Sequence, residues 1–544
     1  MARRHEPLNR TARAAALWWP AALALSIVAT IVGGAIAGML MAGGDPRGHF
    51  PFTDGYIRSI VVFTVVQAFL SAVLSVGLAI PVARAIHRRR FPGRKPFIRI
   101  LGLPMVIPTI VGVLGIVAIY GRSGWLNAGL EQLGLQGRFD VYGLQGILIA
   151  HIFFNMPFAA RILLQAWESV PAESWRLAGQ LGASEIQTFC LVEWPVVRQA
   201  APGLFALVFL LCFTSFSVVL VLGGGPPNAT IEVAIYQALR FDFDLPRVSA
   251  LAIIQVAFCG ALAIGAARLF TALPDTPPAG RPAVRFDGRA MPSRLVDGAA
   301  IMVGAVVLLA PLAAVVLSAG RGPIAATLSD PALWAATGRS IAVGLTAGTL
   351  SLALGLGMVA TLRRLRYREG NERTAALLEA VGSLVLIIPP FVIGAGLFVL
   401  ARSHVNVFDN GLPLVVSINA LMGLPFVIRV LGPPATQTLQ RHGRLTAALG
   451  MRLGHRVRLV DWPLLRRPIA LSLALTTALA MGDFGVIALF GTPETRTLPL
   501  YLYQQMGSYQ LGRAAVSAAV LVATTLIMFL LIERIVGGRA DDKA

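Results

Sequence analysis

An all-α integral membrane protein of about twelve transmembrane helices, in two homologous six-helix halves, is the fold class this sequence predicts. Three observations carry it. Apolar runs long enough to cross a bilayer recur along the chain, arginines gather at alternate junctions between them, and one polar motif occurs twice at a fixed offset.

The first observation is one of composition. The 544 residues are 56% hydrophobic and 13% charged, against about 25% charged in a soluble domain. So much apolar surface calls for lipid as the solvent. The net charge is +20, but the arginines sit between apolar runs, which is the pattern of membrane topology and excludes nucleic acid as a partner. Cys190, Cys212 and Cys259 form no CxxC pair, so neither a disulfide framework nor a metal site is expected. Lysine occurs only at Lys95, after Arg94, and Lys543, after Asp542. A P-loop needs a Gly-Lys pair to reach the β- and γ-phosphates. No residue of the chain is expected to be catalytic, and any ATP that drives it is bound by another polypeptide.

In chain order, the Arg-rich start leads into an apolar run from Leu17 to Ala42, too long for a signal-peptide core and read as a retained span. Further spans are predicted at 57–86, 99–121, 142–167, 199–222 and 246–272, then at 296–319, 334–362, 377–401, 411–432, 468–491 and 514–536. Each must satisfy its backbone internally and so is a helix. Pro104, Pro108, Pro389 and Pro390 fall inside them and need compensation from neighbours.

Arginine placement orients the spans. The junctions 84–99 and 363–373 are strongly basic, as is the connection around Arg281, Arg285, Arg289 and Arg294, whereas the alternate loops hold one or two arginines each. Positive-inside logic then puts the basic set, with both termini, in the cytoplasm. The division predicted is 1–274 for the first half, 275–295 for a cytoplasmic linker and 296–544 for the second half.

The repeated motif runs from Arg176 to Pro195 and again from Arg444 to Pro463, an offset of 268, with Gly182 and Gly450 each thirteen residues before the proline. NMPFAAR at 155–161 matches GLPFVIR at 423–429, SFSVVLVLGG at 215–224 matches DFGVIALFGT at 483–492, and TIEVAIYQAL at 230–239 matches TLPLYLYQQM at 497–506. Two like-oriented six-helix units imply an axis along the membrane normal with a pathway between them. The alternative is duplication for bundle stability alone. Within the motif, Leu177, Ala178, Leu181, Ile186 and Phe189 are spaced for one helical face, Gly182 suits a tight turn, and Ser184 suits an N-cap. A helix–turn–helix below the membrane fits a groove on a partner; resting on lipid headgroups is the competing reading.

Ala-x-x-x-Gly followed by Pro thirteen residues later resembles the EAA loop of ABC importer permeases. The resemblance implies the ABC importer permease fold, with docking to the ATPase through Arg176, Leu177, Ala178, Leu181, Gly182, Ala183 and Pro195, and through Arg444, Leu445, Thr446, Leu449, Gly450, Met451 and Pro463. The family's Glu is here Arg176 and Arg444. RRRFPGR, YGLQGILIAH, VEWP, GGGP, GDFGVIALFG and RTLPLYLYQQMGSY are similar to the fused permease of bacterial thiamine and thiamine pyrophosphate importers, and that likeness covers nearly the whole chain. It implies an inner-membrane subunit with no cofactor of its own, two copies of a cytoplasmic ATPase carrying ATP and Mg, a periplasmic substrate-binding protein and a small-molecule substrate. Ferric-iron importers have similar fused permeases and are the alternative substrate class. An ion-coupled secondary transporter and a non-transporting scaffold are the rivals outside the family.

Asp483, well inside an apolar run, is the first pathway candidate, since a charge at membrane depth faces a cavity or a partner. Its repeat mate is Ser215. Ser217 and Asn155 are further candidates, with interhelical hydrogen bonding as the competing role. Tyr236 and Tyr503, with Gln237 and Gln504, lie near external span ends, as belt or gate residues. His151 stands alone and is expected to be a bonded core residue, not a metal ligand.

Overall fold

The structure, a computed structural model, describes residues 10–42, 55–135, 137–269, 285–288, 290–366, 370–383, 385, 388–402, 406–407 and 409–538. Of the 275–295 linker, 285–288 and 290–295 fall among these, while Arg281 and Arg289 lie outside them. Among the described residues every regular element is a helix. Eleven helices among the described residues are long and apolar enough to cross a membrane.

The ninth predicted span, 377–401, is divided. Glu372–Ser383 is one helix and Pro390–Ala401 another of only 12 residues, begun by the Pro389-Pro390 pair. Neither proline ring fits a helix interior, but Pro at the first position fits a helix start. The same physics breaks 99–121. A short helix Arg94–Ile100 and a single 3-10 turn at Leu103–Met105 precede Thr109–Tyr120, with Pro104 and Pro108 at the joins.

The chain separates into two compact units, one of Met1–Gly44, Asp330–Tyr501 and Val520–Ala544, the other of Asp45–Ser329 and Leu502–Ala519. In the first, Arg10–Ala42 packs on Pro390–Ala401 and Pro331–Arg364. The approach is backbone to backbone: a Cβ on Gly38 would sit 2.3 Å from the Gly396 carbonyl oxygen. In the second, Met291–Arg321 packs on Thr109–Tyr120 and Gly55–Arg88, and a Cβ on Gly115 would sit 2.3 Å from the Pro311 carbonyl oxygen. Small residues at such crossings let membrane helices gain packing energy that lipid cannot offer. In sequence, then, the leading helix of each half belongs to the compact unit built largely from the other half.

Each unit also repeats a buried polar device. The Thr64 hydroxyl accepts the Ile231 backbone N–H at 3.1 Å, and the Ser340 hydroxyl accepts that of Leu498 at 2.8 Å. Both bonds satisfy an orphan donor at the start of a helix that water cannot reach.

Candidate functional site

The two motif copies fold alike. In the first, the helix Ala172–Gln180 ends with Gly182 at φ +65°. The Ala183 N–H bonds back to the Ala178 carbonyl and that of Gly182 to Gly179. In the second, Gly411–Ala448 ends with Gly450 at φ +60°, the Met451 N–H bonds back to Thr446 and that of Gly450 to Ala447. Both are Schellman ends, in which a left-handed residue lets the last carbonyls be capped. A glycine holds that conformation without the steric cost of a Cβ. A one-turn helix follows each, Glu185–Thr188 and Leu453–Arg456, then a π-helical turn, Phe189–Glu193 and Val457–Asp461, then a spanning helix that starts Trp-Pro with Pro195 and Pro463 at its second position. Ser184 caps its helix reciprocally with Gln187, as its position predicts.

The expected single apolar face divides into two. Ala178 and Thr446 are buried, with Ala183 and Met451 half-buried. Leu177, Leu181 and Ile186 point outward, Leu181 at 76% exposure, as do Leu445, Leu449 and Leu453 in the second copy, Leu449 at 67%. The spacing of Leu177 and Ala178, one residue apart, places them on different sides of a helix. Of these, Leu177 with Leu445 and Leu181 with Leu449 stand at matched positions, and each set forms an exposed apolar patch of the kind that marks an interaction surface. Arg176 and Arg444 are also exposed.

Two buried acids hold the loops. Glu193 takes Arg84 and Arg285, each at 2.6 Å. Its repeat mate Asp461 takes Arg363 at 3.3 Å and Arg456 at 3.5 Å. In each copy the acid lies two residues before the proline, in VEWP and VDWP. That recurrence of an acid among basic junctions was a readable signal that resemblance alone had not assigned to a role. Arg285 also pairs with Asp287 and lies 4.0 Å from the Trp175 ring centroid. Burial opposes the charge on Arg285, but Asp287 and Glu193 outweigh it and hold the guanidinium above its ordinary pKa. Burial likewise opposes the Asp287 carboxylate, and Arg285 followed by Arg88 outweighs it, keeping that carboxyl below the usual Asp value.

The pathway candidates separate. Asp483 lies in a break between Trp462–Met481 and Gly485–Phe490. It accepts the Asn419 amide at 3.1 Å and faces the N–H groups of Gly485, Val486 and Ile487. Ser215 lies in the matching break, between Trp194–Phe213 and Ser217–Leu222, with Ser217 opening the second piece. Asp483, Ser215 and Ser217 are half-buried. Asn155 is buried and donates to the His151 carbonyl at 2.9 Å and to Cys212 Sγ at 3.3 Å. His151 is buried, with Nδ1 2.8 Å from the Ser71 hydroxyl. Tyr236 packs edge-on against Phe216 and Phe241, while Tyr503 is half-buried. Glu232, buried and bonded by Gln255 at 3.0 Å, is an acid without a counterpart in the second copy, where its mate is Pro499.

No family model matches the chain. It is 41% identical over 544 residues to the thiamine transport system permease protein ThiP of Brucella abortus (strain 2308), covering 98% of both proteins. The protein of that name from Salmonella typhimurium is 42% identical over 487 residues, 90% of each. The Escherichia coli K12 protein is 41% identical over 490 residues, 89% of this chain and 90% of that one. A shorter match, 33% over 145 residues, spans 27% of this chain and 51% of the sulfate transport system permease protein CysW of Synechocystis. With identity of this extent along nearly its whole length, and with spanning helices to match, this multi-pass membrane chain belongs to the family of thiamine transport system permease proteins.

Proposed function

We propose that the chain is the permease of an ATP-driven ABC importer that moves thiamine, its phosphate esters, or both across the bacterial inner membrane. The observation that supports this most is the pair of identically capped loops with outward leucines, in a chain that resembles thiamine permeases from end to end. In this reading each loop seats in one of two copies of a cytoplasmic ATPase, and both chain termini lie on that side. ATP and Mg stay on the partner, since this chain has no Gly-Lys pair to hold phosphates. A periplasmic binding protein delivers the substrate. ATP closes the partner dimer, the loops transmit the motion, and rocking of the halves alternates access. No covalent chemistry falls to this chain. Asp483, in its helix break, is the pathway residue we assign to the cationic thiazolium ring.

Reconstitution in liposomes with the ATPase and the binding protein tests the reading. Uptake of labelled thiamine or thiamine pyrophosphate that requires ATP is the expected result. Uptake of ferric iron instead would overturn the substrate. Uptake driven by an ion gradient without ATP would overturn the energy source, and absence of both uptake and substrate-stimulated ATP hydrolysis would leave a scaffold.

A further inference from the structure

The segment that joins the sequence halves ends on the first loop. Arg285 inserts between Glu193 and Asp287, at 2.6 and 2.5 Å, stacks over Trp175, and meets His87 Nδ1 at 2.9 Å. Phe286 covers the loop helix at Gly179, where an added Cβ would stand 2.8 Å from its ring. Gly288 turns at φ +83° against Arg88, and its carbonyl accepts Arg89 at 2.6 Å. Arg88 in turn grips Asp297 with two bonds of 2.8 Å. Ser293 bonds Glu185, at the start of the one-turn helix. These groups tie 285–288, Ser293 and Asp297 to the first loop and to the helix end beside it.

The backbone explains why this loop needs a holder. In the first copy the spanning helix stops at Glu168, and Pro171 separates it from the loop helix Ala172–Gln180. In the second, one unbroken helix runs from Gly411 to Ala448 and carries the loop on its own end. The mate of Glu193, Asp461, takes Arg363 and Arg456 instead, and the other groups that receive the strap are missing there. Trp175 is matched by Gly443 and Gly179 by Ala447, which is exposed.

We propose that Arg285 and Phe286 are positioning residues for transport: they strap the hinged first loop helix to the membrane bundle, so that force reaches the bundle through side chains there and through a continuous helix at the second loop. The transport role rests on the docking reading above; the mechanical role does not. The first arm is therefore amide hydrogen exchange of the full chain in nanodiscs, without partners. Arg285→Ala and Phe286→Ala are each expected to speed exchange in 172–180 on the order of tenfold, leaving 440–448 unchanged. Arg285→Lys keeps the charge but loses the planar stack and fork, and restores part of the protection. Phe286→Ala touches no charge, so it carries the test if Arg285→Ala fails to fold. Unchanged exchange in 172–180 overturns the strap.

The second arm is transport per ATP in the reconstituted complex. A drop of about five- to tenfold in Phe286→Ala, with ATP hydrolysis retained, is expected for a coupling defect of modest size. Faster exchange with unchanged transport per ATP would overturn the positioning role. Failure of the ATPase to associate with the unsubstituted chain would instead remove the docking reading and leave the exchange result standing.

Discussion

The two loops share a backbone and differ in how they are held. Both end a helix on a left-handed glycine, pass through a π-helical turn, and bury an acid two residues before a proline. The first is hinged at Pro171 and strapped by Arg285; the second is the end of a 38-residue helix. Their charge differs too. From Arg441 to Arg466 the second copy has six arginines and one acid, whereas over the matching stretch from Glu173 to Arg198 the first has two arginines and three acids. What the two copies share is thus the shape of the turn and its outward leucines, and what differs is the means of support.

The largest expected effect separates the two acids. Glu193→Ala removes the buried counter-charge of Arg84, leaves Arg285, 6% exposed, with Asp287 alone, and loosens the strap. Breaking such a pair costs about 3–5 kcal/mol. Asp461→Ala releases arginines that sit farther away, at 3.3 and 3.5 Å, and are more exposed than Arg285, at 14% and 15%, so about 1–3 kcal/mol is expected. Denaturant titration in detergent measures both. Equal losses would break the comparison, because they would mean that the strap adds nothing to the first anchor.

Gly182→Ala and Gly450→Ala come next. A Cβ at either site meets nothing within 4 Å, so the cost inside the chain is that of a left-handed backbone, about 1–2 kcal/mol. The Ser184 capping box and the strap still hold the first turn after substitution, whereas Arg452 provides no side-chain cap to the second. Gly450→Ala should therefore weaken co-purification of the ATPase more than Gly182→Ala, and valine at both sites should abolish it. The reverse order would mean that helix continuity, not capping, keeps a turn in shape.

How much of this was legible follows from sequence distance. The loop turns were readable because the glycine and the proline recur thirteen residues apart, and the spans because apolar runs report their own length. Pro389 and Pro390 were visible in 377–401, yet as an interruption to be tolerated instead of a helix start. The strap left no periodic trace: Trp175 and Arg285 are 110 residues apart, and nothing in either neighbourhood calls for the other. Glu193 and Asp461 stood in the quoted motif, but an acid in an amphipathic stretch reads as solvated until arginines from a distant helix end close over it.

The smallest effect compares the two helix breaks, where Asp483 stands opposite Ser215 in the repeat. Two roles compete for Asp483. As a cap, it satisfies the N–H groups of Gly485 to Ile487 and is steadied by Asn419 at 3.1 Å. As a pathway charge, it attracts a cationic ring. Asn is about as good a cap as Asp but carries no charge, so Asp483→Asn separates the roles. If the charge acts on the substrate, thiamine uptake falls about tenfold, equivalent to ~1.4 kcal/mol, with protein level and ATPase association retained, and Asp483→Glu recovers part of it. If Asp483 only caps, Asp483→Asn transports normally while Asp483→Ala loses stability. Ser215→Asp sharpens the pair further: it puts a second charge at the matched break, and a slower release of thiamine, read as a lower maximal uptake rate at unchanged ATP hydrolysis, is expected only if both breaks face one route.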